Sequence, residues 1–195
     1  MLDALKNRRS QYALGRDLPI STEAVDALVR EAIRQAPSSF NSQSARAVIL
    51  FGEQSEKLWS TVKETLRGIV AAEDFASTEA RIDGFADGAG TVLFFEDQKV
   101  VRELQEKFPL YADNFPIWSE HSSGMAQLAV WTVLADAGIG ASLQHYNPLI
   151  DAEVTRIWAL PESWKLRAQM PFGSNEQAFS EKSFIADEVR FRTFR

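Results

Sequence analysis

Apolar residues recur at intervals of three and four along much of the chain, a spacing typical of helices that bury one face. One such helix begins after Ser21, a favourable N-cap residue, and must end before Pro37, because a residue preceding proline avoids helical backbone angles. Helices are also predicted at residues 2–6, 55–72, 115–137 and 151–158, with a weaker one reaching residue 86 and another around Val100, Val101 and Leu104. The stretch 115–137 is apolar on nearly every side, which predicts a central helix.

Two kinds of apolar run predict the strands. Residues 47–51 form an uninterrupted apolar run, which is typical of a strand buried on both faces, and residues 90–96 predict another buried strand. Further strands are predicted at residues 139–146, after a helix end at Gly138, at residues 165–170, and at the alternating run 189–194. Because helices and strands mix without strict βαβ order, we expect one helix-rich, three-layer α+β domain over residues 1–195.

Charge and composition narrow the function classes. The chain of 195 residues carries 27 acidic and 21 basic side chains, a net charge of −6, which argues against a general nucleic-acid binder. It contains no cysteine, so disulfides, thiol catalysis and thiolate metal sites are excluded. No segment is apolar enough for a membrane span or a targeting signal, and we therefore expect a cytoplasmic protein.

The common catalytic templates are missing. The two histidines, His121 and His145, have no second ligand at a metal-binding spacing, so we expect no metal site. Neither a phosphate-binding Walker loop nor a G-x-S-x-G nucleophile motif occurs. Gly138 and Gly140 follow a helix and precede a strand, the reverse of the order in a dinucleotide-binding motif.

Two polar segments remain as candidates for a binding site. Arg8, Arg9 and Ser10 offer two guanidinium groups and a hydroxyl, which suit a phosphate; alternatively they are the basic end of a helix. The loop at 37–44 places uncharged donors and acceptors beside a buried strand, which suits a sugar alcohol or a heterocycle; alternatively it is a capped turn. Its polar side chains are Ser38, Ser39, Asn41, Ser42 and Gln43.

Taken in order, four segments carry a resemblance to a known family. They are Arg8-Arg9-Ser10, Pro37-Ser38-Ser39-Phe40-Asn41-Ser42-Gln43, Ala141-Ser142-Leu143-Gln144-His145-Tyr146-Asn147-Pro148 and the run from Trp164 to Gly173. In this combination the chain resembles the flavin-dependent nitroreductases, and the last two segments resemble the branch named for the yeast fatty-acid-repression mutant. The family pattern differs here at Tyr12, where many members have a second arginine.

The resemblance implies a nitroreductase-like fold with a central mixed or antiparallel sheet and a C-terminal strand extended to a partner subunit. It implies a homodimer with FMN at the subunit interface. NADH or NADPH would reduce the FMN, and nitroaromatics, quinones or similar acceptors would then be reduced by ping-pong hydride transfer. Catalysis would need no protein acid or nucleophile, because the flavin carries the chemistry.

The same resemblance assigns the binding residues. Arg8 and Lys182 would bind the phosphate, with Arg9 and Ser10 at the phosphate or the ring edge. Ser38, Ser39, Asn41 and Gln43 would lie along the ribityl chain and ring, contributed by the partner subunit. Gln144, His145 and Tyr146 would lie against the flavin ring. Phe115, Trp118 and Trp131 are expected in the core and the dimer interface rather than at the cofactor.

Two alternatives to an enzyme stay open at this point. A redox or stress-regulatory protein with a lipid-signalling role would need the same flavin pocket and would turn over only incidentally. A small-molecule binding domain without flavin would lack the yellow colour of a flavoprotein. The physiological acceptor and the choice between NADH and NADPH do not follow from the sequence.

Overall fold

The structure is a computed structural model that describes residues 2–195. The helices are α1 (Leu2–Asn7), α2 (Thr22–Gln35), α3 (Glu53–Arg67), α4 (Phe75–Ala86), α5 (Gln98–Lys107), α6 (Phe115–Asp136), α7 (Asp151–Ile157) and α8 (Asp187–Arg190). The strands are β1 (Leu14–Gly15), β2 (Ala45–Phe51), β3 (Gly90–Asp97), β4 (Gly140–Ala141) and β5 (Trp164–Asn175). Short 3-10 turns lie at Ser39–Asn41 and Pro109–Tyr111.

Five strands form one sheet in the order β1-β5-β3-β2, with β4 also paired to β5. All the strand pairs are antiparallel, and an isolated parallel bridge joins Ser10 to Ala141. Strand β3 is buried at every position, as its continuous apolar run predicts. In its register with β2, Ala45 lies opposite Glu96 at one end and Phe51 opposite Gly90 at the other.

The sheet has an apolar core on each face, which makes the fold a three-layer α+β domain. On one face α2 and α6 pack against the sheet, with Val29 and Val130 fully buried there. On the other face α3, α4 and α7 do so, around the fully buried Trp59. Burial of these side chains stabilises the fold by about 1.5–3 kcal/mol for each large aliphatic or aromatic group.

Most predicted elements are confirmed, with shifts at their ends. The helix predicted at 55–72 ends at Arg67, because Gly68 follows as its C-cap and the chain then turns. The strand predicted at 139–146 is shorter, with only Gly140–Ala141 in the sheet and a single bridge at Gln144. The strand predicted at 165–170 is longer and reaches Asn175, since β1, β3 and β4 all pair with β5.

The strand predicted at 189–194 is wrong for this chain. Val189 and Arg190 belong to α8, and the Phe191 N–H donates to the carbonyl of Asp187 at 2.8 Å. Alternation alone does not make a strand, because a strand needs a neighbour with which to share backbone hydrogen bonds. No strand within residues 2–195 pairs with this segment, and its apolar side chains, such as Phe194, are exposed.

Helix α6 is central, as its composition predicts, and one part of its surface is left open. It packs on the sheet and on α2, while Met125 and Leu128 stay 40% and 44% exposed. They line a groove of about 490 Å³ between α1, α2 and α6, with Leu5 and Leu28 on its other walls. No helix among the described residues is long and apolar enough to cross a membrane.

Candidate functional site

Three cationic side chains meet where α1 ends. Arg8 and Arg9 follow the helix directly, and the chain beyond β5 returns to bring Lys182 beside them. The Lys182 ammonium donates to the carbonyls of Lys6 at 2.5 Å and Leu5 at 3.4 Å, the last carbonyls of α1. Arg9 donates to the Ser180 carbonyl. We call Arg8, Arg9 and Lys182 the cation corner.

The electrostatics of the cation corner favour an anion. Burial, and after it the charge of Arg9, lowers the pKa of Arg8. Burial followed by the two arginines lowers the pKa of Lys182. Within residues 2–195 none of the three lies within 4.0 Å of a carboxylate oxygen. Three unneutralised cations at one place repel each other, and a phosphate would offset that repulsion.

Within the cation corner, Arg8 has a side-chain nitrogen that is not hydrogen-bonded to any described residue. Its guanidinium carbon lies 4.2 Å from the centroid of the Trp131 ring on α6, a cation–π contact that fixes the plane of the group. Its Nη1 atom is buried and has no hydrogen-bond partner in the part of the chain that the structure describes. A buried donor without an acceptor is costly, so this nitrogen indicates a missing oxygen ligand.

Ser10 lies on the same side of the molecule. It forms the parallel bridge with Ala141, and the Gln11 N–H donates to the Ala141 carbonyl at 2.9 Å. The indole N–H of Trp131 reaches the same carbonyl at 3.1 Å. Ala141 therefore joins the first basic segment to the segment that contains Gln144.

The polar loop at 37–44 has an unusual backbone. Phe40, Asn41 and Gln43 have φ angles of 57°, 50° and 48°, the left-handed region that non-glycine residues seldom occupy. The hydroxyl of Ser38 accepts the Gln43 N–H at 2.9 Å and closes the loop. Each such residue costs on the order of 1–3 kcal/mol and persists only where the surroundings hold it, most often at a binding or catalytic site.

Aromatic rings surround the tip of this loop. The Phe40 ring lies 5.0 Å from that of Phe108 and 5.3 Å from that of Phe115, and it is nearly parallel to the ring of Trp118 at 6.0 Å. Tyr111 completes the set at 6.1 Å from Phe40. We call these five residues the aromatic cluster. Phe40 is 52% exposed, so the cluster is partly open at the surface.

The third predicted segment is only partly in place. Gln144 exchanges backbone hydrogen bonds with Gln169 at 2.7 and 2.9 Å, and its amide donates to the Ser142 hydroxyl at 3.0 Å. His145 is exposed. The Tyr146 ring instead packs edge-on against Trp59 at 5.9 Å, in the core on the α3 face, away from the cation corner.

The single chain does not unite the two polar segments. The polar loop borders Ser122 and Ala126 of α6, whereas Arg8 lies on Trp131. Ser122 and Ala126 precede Trp131 by nine and five positions, roughly 14 and 8 Å along the helix axis. The two polar segments therefore border different turns of α6.

Several contacts that shape the site do not follow from the sequence. The expectation that Trp131 is mainly core is incomplete, since it also supports Arg8. Phe115 is buried as expected, yet it belongs with Trp118 to the aromatic cluster. Glu96 lies within a run of apolar residues, where only the charge itself signals a special role.

Comparison with known proteins decides the family. The sequence profile described as "Nitroreductase family" matches residues 5–174, most of the chain. The chain belongs to the nitroreductase family. This places it among the oxidoreductases, and it confirms the resemblance drawn from the four sequence segments.

Two relatives of this nitroreductase come from Saccharomyces cerevisiae. HBN1 is 39% identical over 190 residues, covering 96% of this chain and 94% of HBN1. The nitroreductase FRM2 is 34% identical over 191 residues, covering the same shares of the two chains. FRM2 takes its name from the fatty-acid-repression mutant, which confirms the branch that the sequence resembles.

Solved structures agree with the fold. Nitroreductase CinD from Lactococcus lactis in complex with chloramphenicol is 50% identical, with a TM-score of 0.92 over 100% of this chain and 99% of its own. CinD has also been solved with 4-nitrophenol and with nicotinic acid. A structure from Desulfovibrio desulfuricans in complex with FMN is 18% identical, with a TM-score of 0.70 over 100% of this chain and 97% of that one, and it shows the shared fold alone.

Proposed function

We propose that this nitroreductase is a homodimeric, FMN-dependent NAD(P)H oxidoreductase that reduces nitroaromatics, quinones or similar acceptors. The observation that carries the proposal is the cation corner, where Arg8 keeps a buried donor without a partner among the described residues. The residues fit FMN, because one terminal phosphate would accept from that donor and would offset most of the charge of the three cations. Membership of the nitroreductase family supports a flavin as the cofactor.

In this proposal each predicted residue has a distinct task. Arg8 donates to the phosphate, while Arg9 and Lys182 supply further positive charge beside it, with Ser10 at its edge. Lys182 is partly occupied by the α1 carbonyls, so its contribution is smaller than that of Arg8. Bound FMN would supply the redox chemistry, taking hydride from NADH or NADPH and passing electrons to the acceptor in a ping-pong order.

The polar loop would bind the uncharged part of the cofactor in the partner's site. Ser38, Ser39, Asn41 and Gln43 offer the mixture of donors and acceptors that hydroxyl groups and the rim of a heterocycle require. Gln144 and the exposed His145 lie on the segment that Ala141 joins to the cation corner, where they would meet the ring. Tyr146 supports that segment from the opposite face, by packing against Trp59.

A second copy of this chain would complete the site. The groove at Met125 and Leu128 exposes apolar side chains on the central helix, and burying them in a dimer is favourable by about 25 cal/mol for each Å². The same pairing would bring the polar loop of one subunit toward the cation corner of the other.

The aromatic cluster supports aromatic acceptors. A flat nitroaromatic or quinone gains from stacking on exposed rings such as Phe40, in addition to the apolar area that it buries. CinD, solved with chloramphenicol and 4-nitrophenol, supports the same class of acceptor.

Cofactor analysis followed by turnover tests the proposal. The purified protein should be yellow, and mass spectrometry of the released cofactor should give FMN. Oxidation of NADH or NADPH should then depend on added 4-nitrophenol or a quinone. FAD or no flavin would contradict the proposal. Retained FMN with turnover too slow to follow would favour the redox-regulatory alternative.

A further inference from the structure

A fully buried carboxylate lies at the end of β3, next to the polar loop. Glu96 Oε2 accepts two hydroxyl hydrogen bonds, from Ser44 at 2.5 Å and from Ser119 at 2.8 Å. Its Oε1 atom has no partner within residues 2–195. Burial raises the pKa of Glu96, and the two hydroxyls and Arg167 only partly oppose that effect, while Glu120 adds to it.

The two hydroxyls connect Glu96 to different parts of the molecule. Ser44 is the last residue of the polar loop, and Ser119 lies in the first half of α6. The cavity between them, which Ser39 and Ser42 also line, measures only about 10 Å³. The loop is therefore packed closely against Ser119, and the cavity between them has room for about one water molecule.

The next residue, Asp97, holds the same end of the loop. Its N–H donates to the Ser44 carbonyl at 2.9 Å, and its carboxylate pairs with Arg46 at 3.1 Å. Arg46 in turn donates to the Gln43 carbonyl at 2.6 Å. Two consecutive acidic residues of β3 thus fix the polar loop through its last two residues.

Stability alone does not account for a carboxylate at this position. Burying a charged or polar group costs free energy, and well-packed apolar side chains serve a core at least as well. The loop that Glu96 holds contains three non-glycine residues in left-handed backbone, a conformation that needs external support. The feature that Glu96 supports is therefore the shape of the loop.

We propose that Glu96 is a positioning residue that holds the polar loop, through Ser44, in the conformation that presents Ser39, Asn41 and Gln43 to the flavin. This inference rests on the proposed function only for its ligand. The restraint on the loop is a property of the chain itself and can be measured without flavin.

The two serines provide a matched pair of variants. Ser44→Ala and Ser119→Ala each remove one hydroxyl from the same carboxylate oxygen, but only Ser44 belongs to the loop. In the flavin-free protein, hydrogen–deuterium exchange of the Asn41, Ser42 and Gln43 amides should speed up at least about five-fold in Ser44→Ala and stay within about two-fold in Ser119→Ala. Thermal melting of both variants identifies any general loss of stability.

Flavin titration gives the second readout. The FMN dissociation constant should rise about five- to twenty-fold in Ser44→Ala and less than about two-fold in Ser119→Ala, a contrast of the size expected when one supporting hydrogen bond is lost. Glu96→Gln keeps an acceptor oxygen and should stay close to the unchanged protein, whereas Glu96→Val should behave like Ser44→Ala.

The possible outcomes separate the two proposals. Equal amide exchange in the two serine variants would overturn the positioning role, whatever the flavin result. Faster loop exchange in Ser44→Ala without any FMN binding by the unchanged protein would support the restraint on the loop and overturn the proposed function. Faster exchange together with equal FMN affinity in both variants would contradict the link between the loop and the cofactor.

Discussion

Two charged groups contact α6, and they differ in what surrounds them. Glu96 is fully buried and contacts the helix at Ser119. Its Oε2 atom accepts hydroxyl hydrogen bonds from two elements, while its Oε1 atom has no partner among the described residues. Arg8 contacts the helix twelve residues later, at Trp131, where a ring face supports the guanidinium and a buried nitrogen has no partner among the described residues. The two contacts are roughly 18 Å apart along the helix axis.

The difference indicates different roles for the two ends of α6. Glu96 is bonded through Ser44 to the polar loop, so it acts on that loop from inside the protein. A group with a free donor beside two more cations is prepared for a ligand from outside, and in this fold a phosphate fits it best.

The largest expected effect comes from separating the subunits, since the proposed site needs both ends of α6 from different copies. Leu128→Glu places a charge in the apolar groove of each subunit. The dimer should dissociate at micromolar concentrations and lose its FMN, because a buried unpaired charge is strongly unfavourable in an interface. Sedimentation analysis together with the flavin absorbance checks both results.

A matched control uses the same change outside the groove. Ile69 is 60% exposed beyond the end of α3, so Ile69→Glu should leave the assembly and the flavin content unchanged. A Leu128→Glu protein that remains dimeric, or that is monomeric with its FMN retained, would disprove the shared site.

The next largest effect is expected at the cation corner. Arg8→Ala should raise the FMN dissociation constant by roughly 10- to 150-fold, since a charge-assisted hydrogen bond contributes about 1.5–3 kcal/mol. His145→Ala should raise it less than about ten-fold, because a neutral hydrogen bond contributes about 0.5–1.5 kcal/mol. Lys182→Ala should fall between them, because a lysine gives a point charge without the fork of an arginine. Fluorescence titration of flavin-free protein measures all three.

The order of these variants is the critical result. All three should remain folded, since none of these side chains belongs to the apolar cores. If His145→Ala loses FMN and Arg8→Ala retains it, the phosphate does not bind at the cation corner. The two arginines would then be only the basic end of α1, the alternative that the sequence leaves open.

The smallest effect concerns Glu96 and is expected in the pH dependence of stability. Burial raises the folded-state pKa of Glu96 above the ordinary 4.5, so its contribution to stability is present below pH 4.5 and is lost as the pH rises through the folded-state pKa. Glu96→Gln does not titrate. As the pH rises through this window, the Tm of Glu96→Gln should therefore increase relative to that of the unchanged protein. The expected change is about 2–4 °C for each kcal/mol.

Glu153 provides a control of opposite sign. Its pKa is lowered by the hydrogen bonds and charge of Arg156, so its contribution is present above pH 4.5 and is lost as the pH falls. The Tm of Glu153→Gln should fall slightly relative to the unchanged protein as the pH rises. Parallel Tm curves for Glu96→Gln and the unchanged protein would refute the raised pKa of Glu96.

The sequence predicts those parts of the fold whose pattern is local. The apolar run in β3 and the periodic spacing in α2 and α6 each depend on burial of one element, and these predictions are confirmed. Strand β2 forms as predicted, but it lies at the edge of the sheet and only Leu50 is buried, so its predicted burial on both faces is wrong for the single chain. The alternation at 189–194 fails because a strand also requires a neighbour, and periodicity contains no information about one. The end of α3 at Arg67 depends on Gly68, a local signal that a purely apolar pattern overlooks.

The site is predicted less fully, because its chemistry depends on distant contacts. Arg8 and Lys182 are 174 positions apart, and only family resemblance places them together before the structure does. Nothing in the sequence pairs Arg8 with Trp131, or Glu96 with Ser44 and Ser119. The role of Tyr146 is equally hidden, since only the fold reveals that its ring enters the opposite core.

The most direct test of the account compares FMN with riboflavin, which differs from it only by the phosphate. Calorimetric titration of the flavin-free protein should show FMN binding at least ten-fold more tightly than riboflavin, and Arg8→Ala should remove most of that difference while riboflavin affinity stays nearly unchanged. Equal affinities for the two flavins, or full discrimination in Arg8→Ala, would contradict the assignment of the cation corner to the phosphate.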